Sequence, residues 1–183
     1  EIEYRTMFAP LAKWVAEINQ VERIPELVHR AFRVAASGRP GPVVLVLPED
    51  MLEDRTNAVD CPPAPLAHAH PGREALAAVR DLLASAERPI VIVGGAPWSD
   101  GACEAVVRFA AANDLPVCCS YRRLDLFPSR HDSFVGELAV SSNPALLRRL
   151  READVVVAIG TRLSEPTTQD YTLMSVPVPR QKL

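Results

Sequence analysis

The sequence is short of aromatic residues (5%) and of glycine (8 in 183 residues), and it has no surplus of basic charge. Lys and Arg total 20 against 23 Asp and Glu, a net charge of −3. With no Lys/Arg-rich run and no aromatic platform for stacking bases, no nucleic-acid partner is expected. The longest apolar runs, Val43–Leu47 and Val155–Ile159, fall far short of the ~20 residues a membrane span needs, so no membrane role is expected. The four cysteines (Cys61, Cys103, Cys118, Cys119) form no C-x-x-C pair. Cys118 and Cys119 are adjacent in an apolar run, where a strand points them to opposite faces. They read as small buried residues of a reducing compartment, and the cytoplasm is the expected location. No nucleophile elbow, Walker loop, H-E-x-x-H or acidic metal cluster occurs. There is neither an initiator Met nor a signal-peptide profile; the opening Glu1-Ile2-Glu3-Tyr4 reads as a cut inside a longer protein.

What is present has the balance of a folded protein, 48% hydrophobic against 23% charged. A helix is predicted from Ile24, with Pro25 in its first turn, an apolar stripe of Leu27, Val28, Ala31, Val34 and Ala35, and Gly38 as the stop. Gly41-Pro42 then introduces Val43–Leu47, whose five apolar residues without alternation suit a parallel strand buried on both faces. One helix and one strand are too little for a core, so residues 1–54 read as an incomplete α/β fragment. Residues 55–70, with Cys61-Pro62-Pro63-Ala64-Pro65, read as a Pro-rich linker. His68 and His70 stand there at i, i+2 without further ligands, which favours a solvated linker over a metal site.

Residues 71–183 alternate strand and helix. A helix is expected over Arg73–Ser85 with Leu76, Val79 and Leu83 on one face. A strand at Ile90–Val93 precedes a helix capped by Asp100 and carrying Cys103, Val106, Val107 and Ala110. Val117–Cys119 and a short stretch near Phe134-Val135 are further strands. Asn143-Pro144 starts a helix through Leu146, Leu147 and Leu150, and Val155–Ile159 is the last inner strand. This alternation predicts an α/β domain with an open, parallel, Rossmann-like sheet flanked by helices.

Ligands of such sheets bind beyond the carboxyl ends of the strands. Three loops qualify. Gly94-Gly95, within Gly94–Gly101, lets backbone amides approach a phosphate, although Pro97 removes one donor. Ser120-Tyr121-Arg122-Arg123 offers guanidinium groups where a dinucleotide fold usually has a carboxylate; they suit a phosphate, or pairing with Asp125. Gly160-Thr161-Arg162 supplies a glycine turn, a hydroxyl and a cation for a pyrophosphate or ribose. The candidate cofactor-binding residues are therefore Gly94, Gly95, Gly160, Thr161 and Arg162. No catalytic residue and no metal ligand can be assigned.

Several phrases occur together in a recognisable order: Phe8-Ala9-Pro10-Leu11, Arg23-Ile24-Pro25-Glu26-Leu27-Val28, and Gly38-Arg39-Pro40-Gly41-Pro42-Val43 through Leu47-Pro48-Glu49-Asp50. They resemble the end of the pyrimidine-binding domain of thiamine diphosphate enzymes of the acetolactate synthase-like group. Arg88-Pro89 to Gly94-Gly95, Leu126-Phe127-Pro128, Phe134-Val135-Gly136 and Asp154 through Glu165 resemble that family's central domain. The resemblance implies a parent that uses thiamine diphosphate and Mg²⁺ to make or break the bond beside the carbonyl of a small 2-oxo acid. It places the binding residues for both outside this chain, which is then inactive alone and truncated at its last sheet strand. It implies the remaining domains of the parent and a homo-oligomer as partners. In some relatives the central domain holds FAD or ADP by glycine turns matching Gly94-Gly95 and Gly160-Thr161-Arg162; here Ala96-Pro97 stands where the family has a third glycine. A free-standing FAD- or ADP-binding module without thiamine chemistry is the alternative, and a purely bridging domain a third reading.

Overall fold

Two parallel sheets form, one in each of two units, Glu1–His70 and Pro71–Leu183. The computed structural model describes residues 2–63, 65, 69–95 and 97–183, so His68 and Ala96 lie outside the described residues.

In the first unit the expected helix is α2 (Ile24–Ala36) and the expected strand is β2 (Val43–Val46). The sequence reading of one helix and one strand needs correction: helix α1 (Tyr4–Phe8) and strand β1 (Trp14–Glu17) precede them. β1 pairs in parallel with β2, Trp14 opposite Val43 and Glu17 opposite Val46, so one edge of β2 is satisfied. Every residue of both strands is half-buried, where full burial of β2 on two faces was expected. The Lys13 ammonium donates to the carbonyls of Val34 and Ser37, both at 2.6 Å, closing the carbonyl end of α2 with the charge its dipole favours. Ile18, Val21, Leu27 and Met51 form the buried core, flanked by Trp14, Ile24 and Leu45. A two-stranded sheet is marginal by itself, and Phe32 (72% exposed) and Leu11 (70%) stay in water.

The second unit has strand order β5-β4-β3-β6, all parallel, from β3 (Pro89–Val93), β4 (Val117–Cys119), β5 (Phe134–Glu137) and β6 (Val155–Ile159). The chain steps outward from β3 through β4 to β5, then returns to the other side of β3. Right-handed crossovers then require helices on both faces. Helix α4 (Asp100–Ala112) covers one face with Ala110 and Val106, over Val91, Val93, Val117 and Cys119. Helix α5 (Pro144–Glu152) covers the other with Leu146 and Leu150, over Ile90, Ile92, Cys118 and Val156. The alternation along β3 thus feeds both cores, and each fully buried Val or Ile contributes ~1.5–3 kcal/mol. The Asn143 side chain accepts from the Ala145 amide at 2.8 Å with Pro144 next, as expected. The cap of α4 is Ser99, which accepts from the Ala102 amide at 3.2 Å; Asp100 is the first helical residue instead.

Helix α3 (Arg73–Ser85) forms over the expected span but buries none of its residues. Leu83 packs against the core, whereas Leu76 (54% exposed) and Val79 (41%) remain open. At the far edge of the sheet Lys182 enters the ladder beside Val155, its amide donating to the Asp154 carbonyl at 2.8 Å.

The Asp154 carboxylate joins the turn before β3 to the start of β6, accepting from the Glu87 amide at 2.6 Å and the Arg88 amide at 2.9 Å. These amides, Glu87 foremost, hold its carboxyl below the usual range. A folded-state pKa below the unfolded value means the contribution is fully present above the unfolded ~3.9 and is lost as pH falls through the folded value. Asp154→Asn is expected to lower the thermal midpoint by a few degrees at neutral pH. Melting curves across an acid series should show the gap to wild type closing below about pH 4.

Candidate functional site

The order β5-β4-β3-β6 reverses between β3 and β6, and ligand crevices of open sheets form beyond the carboxyl ends at such a point. The structure brings both glycine turns to that place. Val93 and Ile159 are register partners at the ends of the two strands, and the Gly94 amide donates to the Ile159 carbonyl at 3.1 Å. Gly95 and Gly160 take φ of +69° and +68°, the left-handed region that glycine enters without steric cost.

The two turns are pressed together. A Cβ on Gly95 would overlap the Gly160 carbonyl oxygen, and one on Gly160 would stand 2.8 Å from the Gly94 carbonyl oxygen. A Cβ on Gly94 would overlap the Ser120 hydroxyl and lie 2.8 Å from the Thr161 hydroxyl. Protein atoms therefore occupy the room these glycines leave. Gly94, Gly95, Gly160 and Thr161 meet, while Arg162 stands exposed on the following loop. Two residues of the loops named from the sequence, but not chosen there as cofactor-binding candidates, belong to this group. Ser120 is buried at the end of β4, its amide donating to the Val93 carbonyl at 2.8 Å, and its place just after the neighbouring strand was a usable signal. Trp98 donates from Nε1 to the Gly94 carbonyl at 2.8 Å and lies against Gly160; no local pattern announces that contact.

The Ser120-Tyr121-Arg122-Arg123 loop divides its cations. Arg123 makes two bonds of 3.0 Å to the Asp125 carboxylate, which raise the guanidinium pKa and lower that of the carboxyl. Arg122 is exposed, with its guanidinium 4.9 Å from the centre of the Tyr121 ring and its amide donating to Glu137 at 2.8 Å. Neither Arg122 nor Arg162 joins an ion pair among the described residues. Arg122 and Arg162, exposed on loops that follow strand ends, carry guanidinium groups of the kind that suits an anionic group.

The adjacent cysteines of β4 are core residues. Cys118 belongs to one core and Cys119 to the other, as strand alternation demands. Burial pushes both thiols up, Cys119 to about 11, so neither is a thiolate at neutral pH. His29 contacts the Pro62 carbonyl through Nδ1 at 3.0 Å, and His131 accepts from the Ser133 amide at 3.1 Å. Among the described residues no group of three or more His, Cys, Asp or Glu is placed to hold a metal ion.

Trp98→Phe removes the donor from the Gly94 carbonyl while keeping an aromatic ring. Urea denaturation is expected to show a loss of about 1 kcal/mol, the usual cost of such a bond.

Residues 76–181 match the family described as thiamine pyrophosphate enzyme, central domain. The chain is 34% identical to a probable acetolactate synthase large subunit of Methanocaldococcus jannaschii, the match covering 93% of this chain and 30% of that protein. It is 32% identical to the acetolactate synthase isozyme 3 large subunit of Escherichia coli, over 88% of this chain and 29% of the relative. A sulfoacetaldehyde acetyltransferase of Rhodobacter capsulatus is also 32% identical, over 92% of this chain and 28% of the relative. The chain therefore spans less than a third of the length of these relatives. It belongs to the thiamine pyrophosphate enzyme family and carries that family's central domain.

Proposed function

We propose that this chain is part of a thiamine diphosphate-dependent enzyme that makes or breaks the bond next to the carbonyl of a small 2-oxo acid, in the manner of an acetolactate synthase. The carrying observation is the match to an acetolactate synthase large subunit across 93% of the chain, which runs through both units. On this reading residues 1–54 end the pyrimidine-binding domain, 55–70 link, and 71–183 are the central domain. Its sheet is extended by a further strand where Lys182 enters the ladder beside β6. Thiamine diphosphate supplies the carbanion chemistry when bound, with Mg²⁺ on its diphosphate; the residues that hold both belong to the rest of the protein. This chain positions those domains and does not turn over substrate by itself. The exposed apolar side chains of the first unit, Phe32 and Leu11 among them, are covered by the remaining domains or by a second copy in a homo-oligomer.

The carboxyl end of the second sheet further suits a phosphate-bearing nucleotide, FAD or ADP. The glycine turns are filled by each other and by Ser120, Thr161 and Trp98, so no open cradle remains between them. The chemistry for a diphosphate rests with the exposed Arg122 and Arg162 guanidinium groups, since the Thr161 hydroxyl faces Gly94 and donates to the Arg162 carbonyl at 3.1 Å. The free-standing nucleotide module is the weaker reading, because such a module has no use for the paired β1 and β2 strands of a separate unit. No helix among the described residues is long and apolar enough to cross a membrane, and the four free thiols fit a reducing cytoplasm.

The intact protein, supplied with thiamine diphosphate, Mg²⁺ and pyruvate, is expected to consume pyruvate, and the 183-residue chain alone to consume none. Turnover by the chain alone, or failure of the intact protein on every 2-oxo acid offered, contradicts the reading. Flavin fluorescence checks the nucleotide separately. Arg162→Ala should weaken FAD or ADP binding about tenfold through loss of one charge-assisted bond.

A further inference from the structure

The turn that leaves β4 carries an arginine where such turns favour glycine. Ser120 is buried and anchored to the sheet, its amide donating to the Val93 carbonyl at 2.8 Å. The Arg123 amide closes the turn on the Ser120 carbonyl at 3.1 Å. Arg122, the third residue of the turn, has φ of +60°, while Tyr121 before it is outside the left-handed region. This is the φ signature of a type II turn, whose third residue is usually Gly because a Cβ there crowds the following carbonyl oxygen. A type I turn makes the same closing bond without that crowding. The two differ by a flip of the central peptide, here Tyr121–Arg122, and so by the direction of the Arg122 amide. The closing bond therefore does not choose between them.

Glu137 makes the choice. Its Oε1 accepts from the Arg122 amide at 2.8 Å, a bond that a flipped peptide, with its amide turned away, does not make. Strained backbone persists where the surroundings impose it, and this carboxylate is a firm partner. Glu137 ends β5 in register with Cys119 and is half-buried, and the Leu138 amide after it donates to the Cys119 carbonyl at 2.8 Å. On the other side of the turn Arg123 is committed to Asp125 through two bonds of 3.0 Å. Arg122 is not committed in this way. A carboxylate holds its amide, yet its guanidinium joins no ion pair among the described residues and stands over the Tyr121 ring, 4.9 Å from its centre. A guanidinium over an aromatic face keeps its N–H edge free to donate. Arg122 thus has its backbone fixed, its side chain supported and its donors spare.

We propose, on the reading that the carboxyl end of this sheet takes FAD or ADP, that Glu137 is the positioning residue of Arg122. By taking the Arg122 amide, the carboxylate fixes the turn in the orientation that presents the guanidinium to a phosphate of the nucleotide. Glu137 acts through Arg122 and not on the ligand, and its own negative charge opposes an anion. Position and charge therefore push binding in opposite directions, which makes the role separable.

The ADP affinity of the intact protein, measured by calorimetry, tests this. Arg122→Ala is expected to weaken binding about tenfold, through loss of one charge-assisted bond. Glu137→Val suits a strand and removes both the acceptor and the charge. Loss of the charge alone would tighten ADP, whereas loss of position should weaken it about threefold or more. Glu137→Gln keeps an acceptor oxygen and should bind ADP within about twofold of wild type, or more tightly. Added to Arg122→Ala, Glu137→Val should bring no further loss, because a residue that acts only through Arg122 has nothing left to act on. A loss of less than about threefold in either Arg122→Ala or Glu137→Val overturns the proposal. So does Glu137→Gln binding no tighter than Glu137→Val, and so does a further loss of about threefold when Glu137→Val is added to Arg122→Ala. In those cases wild type still binds ADP and only the positioning role falls. If wild type binds neither ADP nor FAD, the nucleotide reading fails and the positioning role falls with it.

Discussion

The contact on which the second unit depends is the approach of the Gly95 backbone to the Gly160 carbonyl. Two neighbouring parallel strands end at one level and both must turn out of the sheet, which leaves no room for a Cβ between them. Everything around the crevice follows from that closeness. The Ser120 side chain and the Thr161 hydroxyl occupy the space beside Gly94, and Trp98 donates to its carbonyl. Because β3 contributes Ile90 and Ile92 to one core and Val91 and Val93 to the other, a distortion at its end reaches both faces of the sheet.

The parts legible in the sequence were those whose physics is local. Doubly buried strands appear as uninterrupted apolar runs, so β3 was visible. β6 was visible by the same run, although it stands last in the sheet order with Ala158 exposed and is not the inner strand expected. The Asn143-Pro144 pair marked the start of α5 by cap chemistry. The glycines of both turns were visible because so few other glycines compete for attention. β1 was not, since Trp14-Val15-Ala16-Glu17 is four residues long, half-buried, and ends in a charge. The cap of α4 was misplaced by one residue because Ser99 and Asp100 are both good caps and only the bond to the Ala102 amide decides. Ser120 escaped as a site residue because its contact with Gly94 joins strands distant in sequence, and Trp98 because nothing in its local sequence marks an indole turned back to the Gly94 carbonyl four residues before it.

Helix α3 and the first unit show where pattern stops short of structure. The stripe of Leu76, Val79 and Leu83 correctly announced a helix, but amphipathicity does not say what covers the stripe, and within this chain only Leu83 is packed. The first unit has its own small core and a lysine closing its main helix, yet Phe32 and Leu11 remain in water. The chain spans under a third of its relatives, belongs to a thiamine enzyme family, and leaves apolar side chains uncovered in both units.

The most direct measurement compares the unfolding free energies, by urea denaturation, of two single-methyl additions in the same unit. At Gly101, in the first turn of α4, an added Cβ meets nothing within 4 Å. Gly101→Ala should therefore be neutral or stabilise by up to about 1 kcal/mol through helix propensity. Gly95→Ala adds the same methyl group at the joint, in a left-handed position and against the Gly160 carbonyl, and should cost about 3 kcal/mol or more. If both variants unfold within about 0.5 kcal/mol of wild type, the close joint between β3 and β6 does not hold the crevice together.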